Sequence, residues 1–521
     1  MSIPLSIPLW LPAVVGLAGL FLPGRVARLL AIAATLATLA YAIGLVADFD
    51  RGGGLQHATD RTWIAELGIH YKIGVDGLNL FLVALTALLW AAAVVWASRE
   101  TWERERLFWF FLLLGETAVL GALLSQDLAL FVAFFDLMLI PFYFLAGMWG
   151  PPGIRVPAVT KLVIYTLVGS LLMLAAAVAT AVISAQQGDT QLTFVLSDLQ
   201  RIGLPKGSQE WIFLCFAAAF LVKMPLFPLH GWMPDGYRAM PLPVLVVFSG
   251  VLSKVAAYGF LRIVLPIFPD ASAHFQMLML LIALASILYG SAMAFTTTQA
   301  RLILGYSSVA QLGFIVLGIF SLRNEGAQGA LLQAFNHGLV VAPAFLIVAL
   351  LAARAGGSED IRDMGGIAFR APVLAALFLI VALATLAMPG SANFAAEFLI
   401  LLGVFRAKIV IAIVAFTGVA MAAVYMLRMF IRTMHNRTGP AVESRELRFT
   451  DGLVIAPLVA AIVGFALYPQ LALDRSEPSV VTSVRQARAL TLPPAPPRAG
   501  VNLGKGTPPP VTPTPQGTGA P

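Results

Sequence analysis

Residues 211–263 read WIFLCFAAAFLVKMPLFPLHGWMPDGYRAMPLPVLVVFSGVLSKVAAYGFLRI. Two lysines, Lys223 and Lys254, sit inside apolar runs of that stretch. Pro225 and Pro228 follow the first lysine. Proline removes a backbone donor and clashes with the preceding turn, so the helix must break there. In a membrane an unpaired charge and a freed carbonyl both lack water, and each is costly. A stretch that carries both reads as an ion path rather than as an anchor.

The rest of the chain has the composition of a membrane protein. Of its 521 residues 59% are hydrophobic and 11% charged, and its mean hydropathy is +0.88. A soluble domain is about one quarter charged. Apolar segments of ~20 residues recur almost throughout, so the expected fold class is an all-α polytopic membrane protein. The first apolar run begins near Trp10 with no basic region before it and no cleavage motif, and is read as a retained helix. The single cysteine, Cys215, is read as a small core residue; it excludes an internal disulfide and any iron–sulfur or structural zinc site. There is no Walker loop, so no nucleotide, flavin or metal is expected on this chain. The net charge of +7 is scattered over loops and reads as a topology signal, not as nucleic-acid binding.

About fourteen transmembrane spans are expected, at 8–23, 27–47, 78–98, 106–124, 127–148, 158–184, 211–232, 243–265, 275–296, 302–321, 328–352, 372–404, 408–432 and 452–471. An even number puts both termini on one side. Loops after odd-numbered spans carry 17 lysines and arginines, against 10 in the others up to Arg475. The odd loops are therefore assigned to the cytoplasm and both termini to the outside. The loop 48–77 is read as packing outside. Asp235 and Arg238 are read as a local ion pair. From Leu492 ten prolines and no apolar period predict a disordered tail, 492–521.

Spans seven and twelve are interrupted, the first at Met224-Pro225 and the second at Met388-Pro389-Gly390. They lie five spans apart and so cross in opposite directions. That predicts two inverted five-helix repeats, spans 4–8 and 9–13, with a broken helix at matching places. The expected units are 1–100, three N-terminal spans and the outer loop; 101–265 and 266–435, the two repeats; and 436–491, the last span with its flanks.

Glu116, Asp136, Lys223, Lys254 and Glu397 fall inside spans, and His230 and His337 join them. A charge at bilayer depth costs at least ~2.5–3.5 kcal/mol, so such groups face the bundle interior and pair. A lysine whose acidic partner moves or changes protonation passes from holding a proton to giving it. Asp136 or Glu116 is the partner expected for Lys223, with Lys254 as the next station and Glu397 as the exit group. Each alone is also readable as a structural pair; the set reads as a relay. His230, near a span end, is readable as a relay group or simply as a donor to a loop carbonyl. His337 is equally a relay group or a satisfied core histidine. The breaks at Pro225, Pro228, Pro389 and Gly390 free carbonyls for water or movement.

LVKMPLFPLHGWMPD at 221–235 followed by GVLSKVAAYGFLRI at 250–263 resembles the antiporter-like, proton-conducting membrane subunits of respiratory complex I. The resemblance continues in RLILGYSSVAQLGFIVLGIF, GALLQAFNHGL and AMPGSANFAAEFLILLGVF, over about 75–475. Within that family DLMLIPFYFLAGMWG, the NHG at 336–338 and ALYPQ at 466–470 are most similar to the subunit M branch. The resemblance implies a proton relay of Asp136, Lys223, Lys254 and Glu397, with Glu116 and His337 as additional members. Three positions depart from the family pattern. Asp136 stands where glutamate is usual, Gln311 where a histidine is usual, and Tyr237 where a second histidine would follow His230. The resemblance further implies a subunit of NADH-quinone oxidoreductase in a cell inner (plasma) membrane, or a thylakoid-type one in a photosynthetic cell. Its partners are then the lipid bilayer and neighbouring antiporter-like subunits, while NADH, FMN, iron–sulfur clusters and quinone are bound by other subunits. A sodium/proton antiporter or membrane-bound hydrogenase subunit shares the same core. A carrier of organic solutes would need a polar midplane pocket, and around Pro389 only Ser391 and Asn393 are available. A pure scaffold would not need the lysines.

Overall fold

The structure, a computed structural model, describes residues 4–52 and 54–492; the expected tail lies outside them save for Leu492. The described chain is mostly helical. Eleven of its described helices are long and apolar enough to cross a membrane, by length and composition. Two shorter apolar helices, Ser6–Gly19 and Pro372–Thr385, accompany them. Burial sorts the long ones. The most apolar windows of Leu242–Ile267 and Ala300–Phe320 are 100% buried and that of Asn324–Arg354 94%, whereas Gly24–Asp48 and Phe449–Leu467 are 33% buried. A helix apolar all round belongs either in a core or in lipid. Here the first three form the core, and they carry Lys254, Gln311 and His337.

Two local expectations are corrected, and a third, the span 127–148, is kept as one crossing segment with a turn inside it. The fold is not purely helical: within 48–77, Gln56–Ile64 and Ile69–Val75 pair as an antiparallel hairpin. Thr59, Thr62, Ile64, Ile69 and Ile73 give its strands β-branched side chains suited to a pleated surface. Asp127 ties the hairpin down, accepting from His70 N–H at 3.1 Å while capping the next helix through Leu130 N–H at 3.0 Å. The span 127–148 is divided at Met138 into Leu128–Leu137 and Leu139–Trp149. Pro141 explains the division, because it cannot donate to the carbonyl four residues earlier. Asp235 pairs with Lys161 at 2.9 Å rather than with Arg238.

The flank after the last span is itself a helix, Gln470–Thr491. It buries Ala472, Ser476, Val480, Ser483, Val484 and Ala487, a stripe at helical spacing. Ser479 Oγ accepts from Gly77 N–H at 3.1 Å, and Leu473 O accepts from Gln328 Nε2 at 2.8 Å. This surface helix therefore bridges two distant parts of the chain at one end of the bundle.

The two helix breaks share one backbone geometry. Lys206–Lys223 ends with Met224 at φ −85°, ψ 21°, and Pro372–Thr385 ends with Leu386 at φ −85°, ψ 9°. Leu226 N–H then reaches Leu221 O and Met388 N–H reaches Leu383 O, each at 3.1 Å and each five residues back.

Close packing at glycine brings the central helices together. A Cβ on Gly338 would lie 2.5 Å from Gly250 O and 2.6 Å from a methyl of Leu85. We expect Gly338→Ala to destabilise the chain by ~1–3 kcal/mol, the range for forcing extra volume into a packed core. The check is the thermal midpoint of the detergent-solubilised protein; an unchanged midpoint would show that the helices are free to separate.

At the opposite end from the hairpin, residues 355–366 form a latch over the junction of Gln276–Thr296 and Ala300–Phe320. Ala300 N–H donates to Glu359 O at 2.8 Å, Ile361 N–H to Thr298 O at 2.9 Å, and Thr298 Oγ1 to Asp360 Oδ2 at 2.9 Å. Hydrogen bonds from the Arg362 side chain hold the Asp360 carboxyl down to about 2 from an ordinary 3.8. A depressed carboxylate stabilises the folded state above its unfolded value and loses that contribution as pH falls through its folded one. Amide hydrogen exchange in 358–363 should therefore stay slow at pH 4 and rise only towards pH 2. Asp360→Asn should raise it at neutral pH; equal exchange in the variant would sink the latch.

Candidate functional site

The first lysine is placed by a helix that stops on it. Pro225 cannot donate, and the broken turn is satisfied from outside the helix. Val222 O accepts from the Trp232 indole at 3.0 Å, and Phe227 N–H donates to Ser286 Oγ at 3.0 Å. The Phe227–Pro228 peptide is cis. The Lys223 ammonium donates to Phe135 O at 3.3 Å and lies 4.4 Å from the centroid of the Phe135 ring. Asp136, the next residue, bears electrostatically on Lys223, and its Oδ1 is buried with no hydrogen-bond partner among the described residues. The structure thus brings this pair together through space, with a backbone carbonyl as the direct ligand. Glu116 is wholly buried in Glu105–Leu124, and neither of its oxygens has a hydrogen-bond partner among the described residues. It is not brought to Lys223 as a paired group.

Lys254 is 0% exposed and sits between two π-helical turns, Phe248–Leu252 and Phe260–Val264. Such turns put the backbone ladder out of register and recur at functional sites. Its ammonium donates to Ser249 O, in the first of those turns, at 2.6 Å. The Ser249 hydroxyl in turn meets the Tyr237 hydroxyl at 3.1 Å.

The second half is joined through Asn324–Arg354. His337 on that helix lies within the field of Lys254. Gln333, four residues earlier, shares its face. Gln333 Nε2 donates to Gln311 Oε1 at 2.6 Å and to Glu397 Oε1 at 3.4 Å. Asn336 Nδ2 donates to Ala392 O at 2.7 Å and so pins the start of Ala392–Ala407, the helix that carries Glu397. The contacts fall into separate groups: Asp136 bears on Lys223, His337 lies within the field of Lys254, and Gln333 joins Gln311 to Glu397.

Other positions stand apart from those groups. His230 lies between aromatic rings, 4.6 Å from Tyr289 and 5.8 Å from Phe227 between centroids. Pro389 and Gly390 are exposed, and Gly390 adopts φ +89°, a conformation that favours glycine. Their loop leads into the helix that buries Glu397, so the turn is at the surface and the carboxyl is not.

Gln333, Ser249 and the bridging place of Tyr237 escaped the sequence reading. The signal for Gln333 was present, a polar residue one helical turn before His337 in an apolar span. Replacing Gln333 by leucine strips a donor from both Gln311 and Glu397, at about 1–3 kcal/mol for buried groups left unsatisfied. A double-mutant cycle of Gln333→Leu with Gln311→Leu, read from thermal midpoints, should show coupling of ~0.5 kcal/mol or more. Strict additivity would deny the contact.

A family described as NADH:quinone oxidoreductase/Mrp antiporter, TM, matches residues 125–422. NADH-quinone oxidoreductase subunit M of Rhodobacter capsulatus is 34% identical over 481 residues, covering 89% of this chain and 92% of its own. The protein of the same name from Escherichia coli (strain K12) is 36% identical over 438 residues, covering 83% and 86%. Among solved structures, a chain of respiratory complex I from Thermus thermophilus with bound NADH superposes with a TM-score of 0.85 at 31% identity, over 93% of this chain and 99% of that one. A chain of the Mrp complex from Dietzia sp. DQ12-45-1b shares the fold, with a TM-score of 0.79 at 21% identity over 93% and 98%. This polytopic membrane chain, with its set of buried charges, belongs to the NADH:quinone oxidoreductase/Mrp antiporter transmembrane family.

Proposed function

We propose that this chain is the subunit M-like, proton-translocating membrane subunit of an NADH:quinone oxidoreductase. It moves protons along Asp136, Lys223, Lys254, His337 and Glu397, with Gln311 bracing the glutamine that bonds the last carboxyl and Glu116 as a further acid. The observation that carries the reading is the burial of the set: two lysines lie inside the bundle, and a helix bearing His337 and Gln333 leads from the second of them to a buried glutamate. The redox groups reside in partner subunits, so the chain is driven through its membrane neighbours rather than by chemistry of its own.

The finer architecture belongs to the same proposal. Fourteen spans form two inverted repeats, spans 4–8 and 9–13, and the matched geometry at Met224 and Leu386 supports the pairing of spans seven and twelve. The ion pairs support the span parity. Arg28–Glu105, Lys161–Asp235 and Arg301–Glu359 each join groups that the count assigns to the cytoplasm. Arg51–Asp474, Arg262–Asp76 and Arg406–Glu325 each join groups assigned to the outside. Both termini then lie on the outer face of a cell inner membrane.

The test is NADH-driven proton pumping in sealed vesicles by the assembled complex carrying Lys223→Ala, with quinone reduction followed alongside. Both activities should fall together by at least about tenfold, equivalent to ~1.4 kcal/mol or more in the barrier. Normal assembly with normal reduction and an unaltered proton-to-electron ratio would make the lysine structural. Sodium-dependent transport by the same vesicles would favour the antiporter reading instead.

A further inference from the structure

Lys223 and Lys254 belong to different helices, and neither donates to a group that the other touches. A small cavity of about 20 Å³ opens between their surroundings. Thr166, Lys223, Tyr237 and Ser253 line it, together with apolar residues that include Trp232 and Phe248. A site of ~10–15 Å³ with two or more polar neighbours is enough for one water. Ser253 Oγ is buried without a hydrogen-bond partner among the described residues. On the far side of the cavity the Tyr237 hydroxyl meets Ser249 Oγ at 3.1 Å, within the range for proton transfer between heavy atoms. Ser249 is also the residue whose carbonyl holds the Lys254 ammonium at 2.6 Å. Tyr237 is 3% exposed, and its backbone is fixed independently of its hydroxyl, because Arg301 donates to Tyr237 O at 3.1 Å and to Met240 O at 2.9 Å.

We propose that the Tyr237 hydroxyl is the proton relay between Lys223 and Lys254. This rests on the proton-translocating reading above and adds a member to the file. Protonated Lys223 gives a proton to a water in the cavity, and that water gives one to Tyr237 Oη. Tyr237 gives its own hydroxyl proton to Ser249 Oγ, which gives its own to a neutral Lys254 once that amine swings from the Ser249 carbonyl to the hydroxyl of the same residue. Lys223 ends neutral and Lys254 ends as an ammonium. The water and both hydroxyls are restored with their hydrogen bonds reversed, and the tyrosine never carries a net charge.

The experiment compares Tyr237→Phe, Tyr237→His and Lys223→Ala in the assembled complex, in sealed vesicles, reading pumping, quinone reduction and the solvent deuterium isotope effect. Tyr237→Phe should assemble, slow both activities on the order of tenfold and raise the isotope effect. Tyr237→His, which again carries a transferable proton, should recover most of the rate. Wild-type rates in Tyr237→Phe beside an inactive Lys223→Ala would overturn the relay and leave the pump. Equal slowing by phenylalanine and histidine with an unchanged isotope effect would show a packing role and also overturn it. Wild-type rates in Lys223→Ala would remove the proposed function and the relay together. Should Tyr237→Phe fail to assemble, Ser249→Ala cuts the same hydrogen bond without touching the ring and is judged by the same outcomes.

Discussion

An ammonium group at bilayer depth has to be held by something, and here a backbone carbonyl holds Lys223. Much of the surrounding structure follows from that choice. A hydrogen bond to a charged group contributes roughly 1.5–3 kcal/mol, whereas disrupting a buried ion pair costs about 3–5 kcal/mol. A direct Lys223–Asp136 bridge would therefore resist loss of the proton more strongly than the observed arrangement does. With Phe135 O as ligand and Asp136 acting through space, the charge is stabilised without being locked. The helix must end at Lys223 for this geometry, and its loose carbonyl and amide are then satisfied by Trp232 and Ser286. At the break the Leu221 and Val222 carbonyls and the Leu226 and Phe227 amides thus have named partners.

The central helix Asn324–Arg354 is the other element on which the site depends. It passes close to the π turn before Lys254 because both chains offer glycine at the contact, Gly338 and Gly250. The same closeness recurs on its other side, where a Cβ on Gly329 would lie 2.7 Å from Ala396 O, next to Glu397. One helix therefore brings His337 towards one lysine and Gln333 against the carboxylate. At the cytoplasmic end of the proposed topology, Arg301 grips the Tyr237 segment while bonding Glu359 bidentately at 2.5 and 2.9 Å. The loop of the first half and the latch of the second are mechanically one piece.

Charges in apolar spans announce themselves because each is expensive, and proline announces a break because it lacks a donor. That is why Lys223, Lys254, Glu397, Glu116 and both interruptions were legible in the sequence. Neutral polar residues carry no comparable penalty, so Gln333, Ser249 and Tyr237 were indistinct until packing showed their partners. The π turns around Lys254 were also invisible, since they arise from how a buried helix meets its neighbours rather than from propensity. The hairpin was hidden in a segment whose polar residues outnumber its apolar ones, although its β-branched positions were there to be read. The surface helix Gln470–Thr491 was read only as a flank of the last span, because its polar residues give no apolar run of membrane length. Asp235 was assigned the nearest cation in sequence, and the fold supplied Lys161 instead.

The two breaks share a backbone geometry but not a chemistry, and this difference gives the proposed pathway its logic. The position matching Lys223 in the second break is Thr385, whose hydroxyl donates to its own helix at Val381 O. The charge of the second half is instead an acid, Glu397, further along the chain and fully enclosed. In the proposed relay a proton that leaves a lysine ammonium and reaches a glutamate converts an ion pair into two neutral groups. Both states have zero net charge, so neither places an uncompensated ion in the core. Desolvation favours the neutral pair and Coulomb attraction the ionic one, and the two terms oppose each other at similar size in a low-dielectric interior. A balance of that kind can be tipped by a modest change of field from a neighbouring subunit. Two lysines in a row would have to carry a buried positive charge at every step. Ending the file on a carboxylate removes that requirement, and the hydrogen bond from Gln333, itself held by Gln311, gives the carboxylate a fixed place in which to receive the proton.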